Sequence, residues 1–231
     1  MSSNRGVLYI VWGDKIEPML QRSMASVKNI HPELPIEVIR CSDDRAFYAL
    51  EQKSSMFSLS PFEETLFLDA DTIVFDRLDY GFEKAAQFGL ACCICENPWA
   101  RRYEVFKSKH DMVEYNTGVL FFSGAAQPIF DAWAKLAPEL DSTLYLTKDD
   151  QLARMPYNDQ CSFAAAVEEA GISPFILPLN WNFRAEFTES FFGPIKIFHS
   201  YLDPPGDLAK LNAQYRSDET VIGQHRIKQR T

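Results

Sequence analysis

The chain has no run of the roughly 20 consecutive apolar residues that a membrane-spanning helix requires. Its first apolar stretch, Val7 to Trp12, follows a short polar start and is too brief for a signal-peptide core. It is also poor in cysteine: five, an odd count without framework spacing, which excludes a disulfide scaffold and fits reduced thiols. Both absences point to a cytoplasmic protein. Positive charge is scarce as well. Lys and Arg number 23 against 32 Asp and Glu, a net charge of −9, and nucleic acid is excluded as a main partner because neutralising phosphates takes a basic face. Internal repeats, low-complexity segments and linkers are missing, so neither a solenoid nor a string of domains is expected. What remains is one domain over residues 1–231, with a weakly structured tail from about residue 207. That tail ends in Arg226, Lys228 and Arg230, a solvated stretch that leaves a weak membrane-surface contact open.

The apolar residues that are present, 46% of the chain, suffice for one good core in 231 residues. They fall into alternating patterns. Val7 to Trp12 is β-rich and apolar throughout, the mark of a strand buried on both faces. Ile16, Met19, Leu20, Met24 and Val27 then recur at helical spacing. Further strands are expected at Pro35 to Ile39, Thr65 to Leu68, Leu90 to Cys95, Gly118 to Ser123, Phe175 to Leu177 and Ile195 to His199. Helices are expected over Ala46 to Leu59, Pro128 to Leu136 and Asp159 to Ala170, and a polar loop over Glu96 to Glu114. Alternating strands and helices imply an α/β fold with a mostly parallel central sheet flanked by helices.

The strongest chemical signal is Leu66-Phe67-Leu68-Asp69-Ala70-Asp71-Thr72. A buried strand delivers two carboxylates to its carboxyl end, the edge of an open α/β sheet where ligands bind. Side chains at i and i+2 of an extended chain share a side. Two carboxylates that close repel unless a cation sits between them, and hard oxygen ligands suit Mg²⁺ or Mn²⁺. A phosphate ester on so acidic a protein also needs local positive charge, which a divalent cation supplies. A solvated acidic turn is the alternative reading of the same residues. Cys92, Cys93 and Cys95 are expected to be buried, because no second pair completes a zinc site.

Other segments extend the pattern. Lys53 lies sixteen residues before Asp69; Tyr115-Asn116-Thr117-Gly118-Val119, Asn158-Asp159-Gln160, Leu177-Pro178-Leu179-Asn180-Trp181-Asn182 and Ile197-Phe198-His199 follow in order. Together these resemble the glycogenin-like family 8 glycosyltransferases, enzymes of the Rossmann-like glycosyltransferase A fold within the nucleotide-diphospho-sugar transferases. The resemblance spans roughly Val7 to Tyr201. It implies a metal-dependent hexosyltransferase that moves a sugar from a nucleotide-diphosphate donor, a UDP-sugar, to an acceptor hydroxyl with retention. The acceptor would be a glycan, a lipid-linked sugar or a protein. On the same footing, Asp69, Asp71 and His199 would ligate Mn²⁺ or Mg²⁺. Trp12, Lys53, Asp69, Ala70, Asn116, Gly118, Trp181 and Asn182 would line the donor site, and Asp159 and Gln160 would lie at the anomeric carbon. Bland readings stand beside these: a strand-end histidine, a surface lysine at Lys53, strand packing at Gly118, and a helix cap at Asp159. Trp99 and Trp181 are candidates to stack on a sugar or base.

One departure is plain. The family follows its metal-binding His with a Gly and a Lys-Pro-Trp, whereas Ser200-Tyr201-Leu202-Asp203-Pro204-Pro205-Gly206 follows His199. Clamping of a diphosphate then falls to Lys210, to Arg184 or to a partner. Two rivals share the main signal. A haloacid dehalogenase-type phosphatase also carries Asp-x-Asp after an apolar strand, with Lys148-Asp149-Asp150 as its later motifs. A non-catalytic module binding sugar nucleotides or glycans would retain the same residues. A sugar-1-phosphate nucleotidyltransferase is disfavoured, since Val7 to Ile16 lacks the Gly-rich, Arg-containing loop.

Overall fold

The opening apolar run forms β1 (Arg5–Trp12), and α1 (Glu17–Ile30) follows it with Pro18 in its first turn, where a missing N–H costs nothing. The computed structural model describes residues 4–41, 52–96, 112–140, 144–148, 151–155, 158–188, 190–217 and 224–226. The chain continues through β2 (Ile36–Cys41), the single turn α2 (Met56–Leu59), β3 (Glu64–Leu68) and β4 (Thr72–Val74). Next come α3 (Asp79–Phe88), β5 (Leu90–Ile94), β6 (Tyr115–Ser123), α4 (Gln127–Leu136) and the hairpin β7 (Leu144–Lys148) and β8 (Gln151–Met155). The rest is α5 (Asp159–Ala170), β9 (Phe175–Ile176), β10 (Ser190–Phe192), β11 (Ile197–His199), α6 (Leu208–Ser217) and β12 (Gln224–Arg226).

Six strands form the central sheet in the order β2-β1-β3-β6-β5-β9. The pairs β1/β2, β1/β3 and β5/β9 are parallel, while β6 runs antiparallel to both its neighbours. The inner strands β1, β3, β6 and β5 bury alternate residues on opposite faces. Val7, Tyr9, Val11, Leu66, Leu68 and Phe121 pack toward α1 and α3, and Leu8, Ile10, Phe67, Leu120 and Phe122 pack toward α4 and α5. Helices on both faces account for the lack of polar alternation in β1 and β3.

Two differences from the sequence expectation stand out. The expected weak tail contains α6, whose Leu208 packs with Phe183, Ile195 and Phe198. Asn212 clamps it there by accepting from the Ile195 N–H at 2.9 Å and donating to the Ile195 carbonyl at 2.8 Å. The strand expected over Ile195 to His199 is also shorter, β11 (Ile197–His199), and pairs antiparallel with β4 so that His199 lies opposite Thr72. The expected helix over 46–59 is described only in part, and the basic residues Lys228 and Arg230 lie outside the described residues, as do Trp99 and most of the polar loop. No described helix is long and apolar enough to cross a membrane.

Candidate metal centre and its cavity

The turn after β3 is held rigidly. Ala70 continues the apolar side of Leu66 and Leu68 into the core, leaving Asp69 and Asp71 on the opposite parity. A ladder of hydroxyls braces the turn from behind: Tyr9 Oη lies 2.8 Å from Ser23 Oγ, which lies 3.0 Å from Thr72 Oγ1. Thr72 in turn donates to the Asp69 carbonyl from its hydroxyl at 2.7 Å and from its backbone N–H at 3.2 Å. The far strand arrives through β11, where the His199 N–H donates to the Phe183 carbonyl at 2.9 Å and the Ser200 N–H to the Asp71 carbonyl at 3.1 Å.

These elements bring His199 Nε2 to 3.3 Å from Asp71 Oδ1 and 3.8 Å from Asp69 Oδ2. One ligand atom from each of the three residues falls within 4.8 Å of the others. Burial disfavours the charged imidazole, but Asp71 and Asp69 outweigh it and raise its pKa. Burial and the neighbouring Asp71 raise the Asp69 carboxyl despite Lys53 and His199, whereas Asp71, although buried, is lowered by His199. Two carboxylates and an imidazole fit a divalent cation, and an ion there would favour the charged form of Asp69 that burial disfavours. Gly118 makes the convergence sterically feasible, since a Cβ there would overlap His199 Cε1 and lie 2.6 Å from Asp69 Oδ2.

Lys53 is buried beside the centre, not on the surface. Its Nζ lies 2.7 Å from Asp159 Oδ2 and 3.0 Å from Asp69 Oδ1, and it donates to Thr117 Oγ1 at 3.4 Å. Burial opposes its charge, but the two carboxylates hold its pKa well above the ordinary lysine value; Asp159, desolvated yet paired, is lowered. Thr117 completes the group by donating to Asp159 Oδ2 at 2.7 Å. The cap of α5 is Asn158, one residue before the expected Asp159: its Oδ1 accepts the N–H groups of Gln160 at 3.0 Å and Cys161 at 3.2 Å. Asp159 is thereby freed to face Lys53.

A cavity of about 670 Å³ opens over this floor, and Trp12, Lys53, Asp69, Ala70, Asp71, Asn116, Asp159, Gln160 and His199 all line it. Trp181 does not. It is buried, with its ring centroid 5.9 Å from that of Phe121 and 6.0 Å from that of Tyr80, as a core residue expected instead at the donor. Asn182 is 1% exposed and lies behind the cavity wall, against His199. Arg184 lines the cavity, fixed by Glu96 Oε2 at 3.1 Å and by stacking 4.1 Å from the Phe187 ring centroid. Lys210 is exposed on α6 and does not line it. Lys15, Glu186, Phe187 and Tyr201 line the cavity unforeseen, although Lys15 follows the carboxyl end of β1, a position that could have flagged it. Cys92, Cys93 and Cys95 are buried and take part in no disulfide, as expected. Lys148 sits on the separate β7/β8 hairpin, and Asp149 and Asp150 lie outside the described residues.

No protein-family model matches the chain, and no curated protein matches it in sequence. Solved structures do. Mouse xyloside xylosyltransferase 1 aligns with a TM-score of 0.58 at 14% identity, covering 87% of this chain and 99% of that one. The glycosyltransferase GlyE of Streptococcus pneumoniae aligns at 0.56 and 14% identity over 93% of this chain and 60% of its own. The galactosyltransferase LgtC, solved with donor and acceptor sugar analogues, aligns at 0.52 and 13% identity over 92% and 94%. The fold is that of the GT-A glycosyltransferases. In this chain the Asp-x-Asp turn follows the third strand, and the neighbouring β6 runs antiparallel to that strand.

Proposed function

We propose that this chain is a divalent-metal-dependent glycosyltransferase that moves a sugar from a UDP-sugar to an acceptor hydroxyl on a glycan, lipid-linked sugar or protein, with retention of configuration. The observation that carries the reading is the convergence of Asp69, Asp71 and His199 on the floor of a cavity of about 670 Å³ at the carboxyl end of β3. LgtC, which shares the fold, is the neighbour solved with donor and acceptor sugar analogues.

In this reading Asp69, Asp71 and His199 hold Mn²⁺, with Mg²⁺ as a substitute. The bound ion supplies Lewis-acid stabilisation of the charge on the departing diphosphate. Trp12 offers its ring to the base from the end of β1 and Asn116 lines the sugar pocket, while Gly118, expected to line it, lies instead against His199 and Asp69 and keeps room for them to converge. Lys53 keeps Asp159 ionised and in place, and Asp159 with Gln160 flanks the anomeric carbon, where a carboxylate stabilises oxocarbenium character. Arg184 is the cavity cation best placed to meet a phosphate oxygen in place of the family's Lys-Pro-Trp.

Titration calorimetry with UDP in EDTA and again in Mn²⁺ tests the metal requirement. Binding is expected only with Mn²⁺, and equal affinity in both buffers would sink it. Turnover of a labelled donor separates an enzyme from a binding module, and NMR of the product's anomeric centre reads retention.

A further inference from the structure

Behind the metal centre runs a chain of buried amides whose polarity is forced from one end. It begins at the Gly118 backbone N–H, which can only donate, and which donates to Asn116 Oδ1 at 3.0 Å. That bond fixes the orientation of the Asn116 amide, so the Asn182 atom 2.7 Å from the same oxygen must be its NH₂. The Asn182 carbonyl then points the other way, 2.8 Å from His199 Nδ1. A carbonyl oxygen only accepts, so Nδ1 must carry the proton. The other side of Asn116 is equally committed, its Nδ2 donating to Gln160 Oε1 at 3.0 Å. Asn116, Gln160 and Asn182 are 5%, 7% and 1% exposed, so water does not compete readily for these partners.

We infer that Asn182 is a positioning residue that locks His199 as its Nδ1–H tautomer, with Asn116 as the residue that locks Asn182. The consequence falls at the opposite ring atom. With Nδ1 protonated, the neutral ring presents its Nε2 lone pair toward Asp71 and Asp69. That is the atom and the state a metal ligand needs, and a histidine's second nitrogen is commonly held by such a partner. The alternative tautomer satisfies Asp71 from Nε2–H but sets Nδ1 against the Asn182 carbonyl, two acceptors 2.8 Å apart, whereas the Nδ1–H ring sets its lone pair toward Asp71 at 3.3 Å, the side on which a cation would sit. The same amides join Gln160, at the sugar end of the cavity, to the metal end. Asn182 therefore acts through His199 and not on the donor, which its burial behind the wall also requires.

This inference rests on the proposed metal centre, but the tautomer can be read without metal, donor or activity. The chain contains four histidines, so ¹⁵N-histidine spectra of the metal-free protein in alkaline buffer, where the rings are neutral, are tractable, with His199→Gln assigning the signal. The wild-type ring is expected as Nδ1–H. Asn182→Leu should lose that preference and weaken Mn²⁺ binding, read by electron paramagnetic resonance without nucleotide, by about 10- to 100-fold. Asn182→Asp keeps an acceptor against Nδ1, so it should retain the Nδ1–H ring and more of the affinity; it also serves if the leucine variant does not fold. An Nε2–H ring in the wild type or in Asn182→Asp overturns the inference, and so does Asn182→Leu with an Nδ1–H ring and wild-type Mn²⁺ affinity. A wild-type ring that is Nδ1–H in a protein that binds no Mn²⁺ supports the lock while removing the metal reading.

Discussion

Gly118→Ala adds one methyl group at the point where the metal centre is most crowded. The new Cβ would overlap His199 Cε1, lie 2.6 Å from Asp69 Oδ2 and come within 3.1 Å of Asn116 Oδ1. The backbone at Gly118 is not in the left-handed region, so the cost is steric. Ordinary contact is about 3.5–4.0 Å between carbons, so the imidazole would have to retreat by more than about 1 Å. It has little room to do so. Its backbone is tied to Phe183, the next residue to Asp71, and its Nδ1 to Asn182. Overpacking of this kind costs typically about 1–3 kcal/mol of stability. The metal centre should suffer more, because ligand bonds of about 2.0–2.2 Å do not survive such a displacement. Loss of one ligand should weaken Mn²⁺ at least 100-fold, about 2.7 kcal/mol. Urea denaturation gives the first quantity, and Mn²⁺ titration by electron paramagnetic resonance gives the second. A folded Gly118→Ala protein that binds Mn²⁺ like the wild type would refute the packing argument for this centre.

Asp71→Ala should abolish metal-dependent UDP binding and transfer with an unchanged circular dichroism spectrum, since Asp71 ends in a turn and contributes no apolar packing; residual activity would move the centre elsewhere. Lys53→Met leaves Asp69 and Asp159 without their shared cation, and breaking a buried pair in this way costs about 3–5 kcal/mol; an unaltered urea midpoint would show that the pair is dispensable. The same pair sets two limbs of the pH–stability profile. Asp159 has a lowered folded pKa, so its contribution is present above the unfolded value of about 3.9 and is lost as pH falls through the folded one. Lys53 has a raised folded pKa, so its contribution is present below the unfolded value of about 10.4 and is lost as pH rises through the folded one. Asp159→Asn should flatten the acid limb and Lys53→Met the alkaline limb, measured as denaturant midpoint against pH; wild-type slopes in both variants would refute the assignment.

Sequence alone determined what depends on neighbours along the chain. The apolar run of β1 and its mate before Asp69 announce strands buried on both faces, and Asn158 and Gly171 bracket a helix whose limits, Asp159 to Ala170, were legible residue by residue. The pairing of two carboxylates at a strand end, and so the expectation of a cation, is likewise a property of seven consecutive residues. Leu208, Leu211 and Tyr215 even carry a helical spacing that the expectation of a weak tail passed over. Tertiary structure decided everything that depends on direction and facing. An apolar strand reads the same run forward or backward, so nothing in Tyr115–Ser123 shows that β6 is antiparallel. Trp181 and Asn182 are adjacent polar-capable side chains on a short helical turn, and only the packing sends one into the core and the other onto His199. Arg184 and Lys210 were equal candidates as cations; the cavity received the first because Glu96 and Phe187 hold it there, and α6 turned the second to solvent. Local pattern specifies which face of an element is apolar, but which polar groups meet across the sheet is settled by contacts among residues far apart in the chain.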